Sequence, residues 1–106
     1  MSIARKPADT SVDIHPVLAE RWSPRAFESN VKLGTEDLTA ILEAGRWAPS
    51  SNNGQPWRFM IAHNGDTAFS KLAELLSGFN KSWAPKASVL ITLLVRTTNE
   101  VRGPER

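Results

Sequence analysis

The sequence predicts an α+β fold, and three stretches carry that prediction. Leu38, Ile41, Leu42 and Gly45 recur at helical spacing. Trp57, Phe59 and Ile61 alternate with Arg58, Met60 and Ala62, the period of a half-buried strand. Val89 to Val95 is an apolar run broken only by Thr92, which reads as a buried central strand.

The elements follow in order along 106 residues, the length of one ordinary domain. Residues 1–13 are polar and mixed in charge, and read as a tail or arm. A short helix is predicted near Ile14, with Asp13 as its cap and Pro16 in the first turn, where the missing N–H costs nothing. Trp22-Ser23-Pro24 ends it, and Arg25 to Gly34 reads as irregular. Thr35 is a good helix cap, followed by Glu36 and Asp37, whose charges suit the positive end of the dipole. That helix should stop between Arg46 and Ala48, because Pro49 restricts its predecessor and Ser50 to Gly54 is rich in turn formers. After the strand at Trp57, Asn64-Gly65-Asp66 marks a turn and Asp66 can cap the next helix. Phe69, Leu72, Ala73 and Leu76 supply that helix's apolar stripe until Gly78. Phe79 to Lys86 is a loop, and the chain turns polar again after Arg96. Residues 14–96 thus form the folded part, with 97–106 as a polar tail or the start of a further segment. Two strands make a poor sheet alone, so the second strand predicts neighbours that these elements do not supply.

Composition narrows the chemistry. Cysteine is absent, which removes disulfides, thiolate metal sites and a cysteine nucleophile together. His15 and His63 lie too far apart in sequence for a short metal motif, and both read as surface histidines; no metal site is predicted. Thirteen Lys and Arg against eleven Asp and Glu leave a formal charge of +2, too little for a nucleic-acid face. The longest apolar run is far too short to span a bilayer, and no secretory leader is visible, so a cytoplasmic location is predicted. Neither a glycine-rich phosphate loop nor a nucleophile elbow occurs.

Three polar segments remain as candidates. Arg21-Trp22-Ser23-Pro24-Arg25-Ala26-Phe27 sets two arginines four apart with a hydroxyl between them, an arrangement that can grip a phosphate or close a charged helix end. Ala48 to Trp57 gathers hydroxyls and side-chain amides that suit the heteroatom edge of a flat heterocycle, or that satisfy a long turn's own backbone. Gly54 there permits an unusual backbone angle. Phe79 to Pro85 offers Asn80, as ligand contact or as cap of Lys81 to Trp83.

These segments resemble the nitroreductase family of flavin enzymes. The pattern R-x-S-x-R-x-F stands at Arg21, Ser23, Arg25 and Phe27, and E-A-x-x-x-A-P-S-S-x-N-x-Q-P-W runs from Glu43 to Trp57. The match extends from Ile14 to Val95 and implies the N-terminal half only of a three-layer sheet-and-helix fold, apparently truncated. The resemblance implies an FMN-dependent oxidoreductase that takes hydride from NADH or NADPH and passes electrons to nitroaromatics, quinones or related small-molecule acceptors. It also implies a homodimer with FMN at the subunit interface. On that likeness Arg21, Trp22 and Ser23 would meet the FMN phosphate and ribityl chain, and Arg25 the pyrimidine edge of the flavin. Pro49, Ser50, Ser51 and Asn53 would approach from the partner subunit with Gln55 in support, and Asn80 would contact the ribityl or pyrimidine side. No side chain need act as a nucleophile, since the flavin itself accepts the hydride. Beside this stands a second reading, a non-enzymatic dimerisation or interaction domain without bound flavin.

Overall fold

A computed structural model describes residues 5–28 and 30–97. The predicted tails therefore lie partly outside the described residues, at 1–4 and 98–106. Among the described residues three α-helices and two strands form in the predicted order: α1 Pro16–Glu20, α2 Thr35–Arg46, β1 Trp57–His63, α3 Thr67–Glu74 and β2 Val89–Val95. Short 3₁₀ turns at Ser51–Asn53, Gly78–Ser82 and Ala84–Lys86 fill the connections.

Local chemistry explains the ends. His15, not Asp13, caps α1, its Nδ1 accepting the Val17 N–H at 3.2 Å while Pro16 takes the first position. Gly34 is the cap of α2; Thr35 lies inside the helix, and its carbonyl accepts the Thr39 hydroxyl at 2.8 Å. Gly65 turns the chain after β1 at φ 103°, an angle an L residue adopts only under strain. Asp66 then caps α3 by position, while its carboxylate closes the turn by accepting the His63 N–H at 3.2 Å. Ahead of α1 the arm is docked, with Ala8 N–H donating to Ala19 O at 2.7 Å and Lys6 Nζ 4.8 Å from the Trp22 ring centre.

β1 and β2 pair antiparallel over their full lengths, from Trp57 opposite Val95 to His63 opposite Val89. Phe59, Ile61, Leu93 and Ile91 share one face of this ladder; Met60, Ala62, Leu90 and Leu94 share the other. α2 lies over the first face, where Gly45 lets the helix approach: a Cβ there would stand 3.0 Å from Phe59 Cζ. α3 packs along both strands and buries Phe69.

Two expectations about the core are corrected. Among the described residues the sheet has two strands, so the predicted three-layer arrangement reduces to one ladder with helices against it. β2 is not a buried central strand either: Leu93 is 59% exposed and Val95 60%, because β1 covers one edge and the helices reach only part of its faces. Among the described residues the buried hydrophobic ones are Ala62, Phe69 and Ala84. Of the predicted α2 stripe, Leu38 and Leu42 are half-buried and Ile41 is exposed.

Candidate functional site

The first and third polar segments meet. Arg21 follows α1 as its C-terminal cap in extended conformation, and its Nη1 donates to Ser23 Oγ at 3.3 Å. Four residues on, the Arg25 guanidinium stands 5.6 Å from the Phe79 ring centre, a cation–π separation that turns the cation toward the Asn80 turn. Phe27 and Trp83 pack with ring centroids 5.7 Å apart. Through these two contacts the arginine segment lies against Gly78–Lys86. Arg21, Ser23, Arg25 and Asn80 are all exposed, and Trp22 is half-buried. Asn80 caps nothing by its side chain; it sits within the 3₁₀ turn, and its carbonyl accepts the Trp83 N–H at 3.4 Å.

The second segment builds a separate cavity of about 480 Å³ at the C-terminal end of α2. Pro49, Ser50, Asn53 and Gln55 of the predicted set line it, joined by Arg46, Trp47 and Ala48. Ser51 does not line it; it opens the 3₁₀ turn and accepts the Gly54 N–H at 3.0 Å. The unusual backbone angles fall elsewhere than predicted. Gly54 is right-handed at φ −68°, and its lack of a Cβ serves a close approach instead, since a Cβ would stand 3.2 Å from Ser51 O. Left-handed angles occur at Asn52 (φ 53°), Asn53 (φ 51°) and Gln55 (φ 47°). Asparagine tolerates this region, whereas a glutamine there costs about 1–2 kcal/mol.

The loop's own bonds hold that geometry. Ser50 Oγ accepts the Gln55 N–H at 3.1 Å, and Gln55 Nε2 donates to Asn53 Oδ1 at 2.8 Å. Arg96 ties the loop to the end of β2, its N–H donating to Pro56 O at 2.9 Å and its Nη2 to Gly54 O at 3.4 Å.

Sequence reasoning missed the wall made by the end of α2. Glu43, Arg46 and Trp47 close a triangle: Arg46 donates to both carboxylate oxygens at 3.0 and 3.1 Å, and Trp47 Nε1 donates to Oε1 at 2.8 Å. The Arg46 guanidinium also stacks 5.0 Å from the Trp47 ring centre. The i, i+3 and i, i+4 spacing was the available signal. Arg46 holds the Glu43 carboxyl below the ordinary value of 4.5, with Trp47 acting in the same direction, and Glu43 raises Arg46 in return. A carboxylate lowered on folding contributes its stabilisation above the unfolded value and loses it as pH falls through the lowered one. The Trp47 indole N–H resonance is accordingly expected to move with a midpoint below 4.5. In Arg46→Gln that midpoint rises. A two-dimensional NMR titration checks both, and because the triad is exposed, added salt should shrink the difference.

Helices set against an antiparallel ladder carry, at one end, a loop whose hydroxyl and amide groups open onto a cavity. Comparison with known proteins identifies the family. Residues 18–97 match the nitroreductase family. The Bacillus subtilis protein YdgI is 36% identical over 87 residues, 82% of this chain and 41% of that protein. An oxygen-insensitive NAD(P)H nitroreductase of Salmonella typhimurium is 31% identical over 97 residues, 90% of this chain and 45% of the enzyme. A crystal structure described as an oxidoreductase containing FMN superposes with a TM-score of 0.82 at 36% identity, covering 99% of this chain and 52% of the other. The chain belongs to the nitroreductase family, the family that its motifs resemble.

The same findings correct the expectation of an N-terminal half only and an apparently truncated fold. The common backbone path takes in 99% of the chain, so the likeness is not bounded by the motif-bearing stretch that first indicated it. The chain spans about two fifths to one half of the length of the relatives it matches. Among the described residues no helix is long and apolar enough to cross a membrane.

Proposed function

We propose that this chain acts as an FMN-dependent NAD(P)H oxidoreductase that reduces nitroaromatic, quinone or related acceptors in ping-pong fashion. The observation that carries the reading is the Ser50–Gln55 loop, in which the Ser50, Asn53 and Gln55 side chains share one cavity beside the α2 end. That donor set fits the polar edge of a flavin, which needs both donors and acceptors in its plane.

FMN, when bound, supplies the two-electron chemistry between nicotinamide donor and acceptor. The chain's residues bind and orient it. Arg21, with Ser23 and Trp22 beside it, holds the phosphate; a guanidinium offers a planar fork of donors that a phosphate can accept in pairs. Arg25, turned by Phe79, places positive charge near the pyrimidine edge, where it favours the anionic reduced ring. Asn80 lies on the same side. Pro49, Ser50, Ser51, Asn53 and Gln55 serve the flavin of a second copy. The arginine segment packs on the Asn80 turn, and the cavity lining includes no residue of either, which supports a site assembled from two subunits. The exposed apolar residues of β2 likewise suit a chain that works as a homodimer. A cytoplasmic setting, where reduced nicotinamides are plentiful, accords with this chemistry.

The test is a visible absorption spectrum of the purified chain after incubation with FMN and gel filtration. Near-stoichiometric flavin bands and NADH- or NADPH-driven bleaching of a nitroarene are expected. A protein that stays colourless would favour the interaction-domain reading.

A further inference from the structure

Gln55 is left-handed at φ 47° and precedes Pro56. Both circumstances oppose that angle: the Cβ crowds the peptide, and the proline ring drives its predecessor toward extended backbone. Such a conformation persists only where its surroundings over-determine it, and strain of this kind gathers at binding sites. Here three polar groups of one residue are held. The N–H donates to Ser50 Oγ, the side-chain amide to Asn53 Oδ1, and the carbonyl accepts from Arg58 Nη1 at 3.1 Å. The same Nη1 lies 2.7 Å from Trp57 O, so one nitrogen bridges the carbonyls on either side of Pro56.

Among the side chains that hold Gln55, Ser50 and Asn53 line the cavity and Arg58 does not. Arg58 stands within β1, paired with Leu94 of β2. It therefore anchors the loop to a regular element, and rigid elements place a site more accurately than loops do. We infer that Arg58 is a positioning residue for the ligand loop: its guanidinium holds Gln55 left-handed and so aims the Ser50, Asn53 and Gln55 groups at the polar edge of a planar heterocycle. The inference rests on the flavin reading for the identity of that heterocycle, and on the loop geometry alone for the role of Arg58. Arginine suits the task because the two N–H groups of Nη1 are fixed in the plane of a rigid guanidinium, whereas a lysine ammonium turns on a flexible stem.

The experiment uses the full chain, isotope-labelled and ligand-free, and reads the Gln55 φ angle from backbone NMR couplings in the unmodified protein and in Arg58→Gln. A left-handed angle in the former that relaxes in the latter is expected. FMN titration of the same proteins should show affinity about tenfold lower in Arg58→Gln, on the scale of one hydrogen bond from a charged donor. The thermal midpoint should stay within about 3 °C, as for an ordinary surface substitution. Arg58→Lys, able to reach one carbonyl, should recover part of the affinity. Persistence of the left-handed angle in Arg58→Gln overturns the assignment, as does an affinity that falls only in step with the thermal midpoint and gains nothing from lysine. If the unmodified chain takes up no FMN, the flavin reading fails by itself, and the ligand-free φ measurement still decides the role of Arg58.

Discussion

Arg21→Ala should lower FMN affinity by about 100-fold or more, since two hydrogen bonds from a charged donor to phosphate contribute about 3 kcal/mol or more together. Riboflavin, which lacks the phosphate, should bind the variant within about threefold of the unmodified protein, because only the phosphate contact has gone. The geometry explains the size of the contrast. Arg21 is exposed at the end of α1 and spends one N–H on Ser23 Oγ at 3.3 Å, a long bond that a phosphate oxygen can replace. α1 has five residues, so its end adds little dipole to confuse the result. Arg21→Lys should recover part of the loss by supplying a point charge without the fork. Titration by quenching of flavin fluorescence measures both ligands on one sample. Equal losses for FMN and riboflavin would place the effect of Arg21 in the fold and remove it from the phosphate site.

The local elements were legible because each is set by near neighbours in sequence. α2 announces itself through spaced leucines and an acidic first turn, and Gly65 and Asp66 close β1 as turn chemistry requires. Three features were not legible, each for a physical reason. His15 caps α1 in place of Asp13 because Pro16 fixes where the helix starts, and the cap must directly precede it. The exposure of Leu93 and Val95 depends on what stands across from them, which an apolar run does not specify. The left-handed angles fell on Asn52, Asn53 and Gln55, although Gly54 is the residue free to take them. A side-chain bond from the strand residue Arg58 and long-range bonds from Arg96 set that loop, and no turn rule contains them. The candidate site divides in the same way. Its donors could be read directly as residue types, whereas the Glu43–Arg46–Trp47 wall required the helix to end where it does.

A mixing experiment tests the two-copy site with an all-or-none readout. Arg21→Ala damages the segment that packs on the Asn80 turn, and Asn53→Ala damages the loop proposed to serve the other copy's flavin. Each homodimer then carries two faulty sites. In a mixed dimer with two-fold symmetry, one site receives both lesions and the other receives neither. Random exchange makes half of the dimers mixed, so about a quarter of all sites should become fully competent. Flavin content and NAD(P)H-dependent turnover should therefore rise from near zero toward about a quarter of the unmodified level after the two inactive variants are unfolded together and refolded. Mixing without unfolding should give the same recovery more slowly, at the rate of subunit exchange. A site built within one chain predicts the opposite: both lesions remain in the chains that carry them, and no mixture exceeds its components. The contrast does not depend on how strongly either substitution acts, provided each is inactive alone. It separates a shared site from two adjacent ones, because only a shared site lets a sound loop and a sound arginine segment from different chains meet around one flavin.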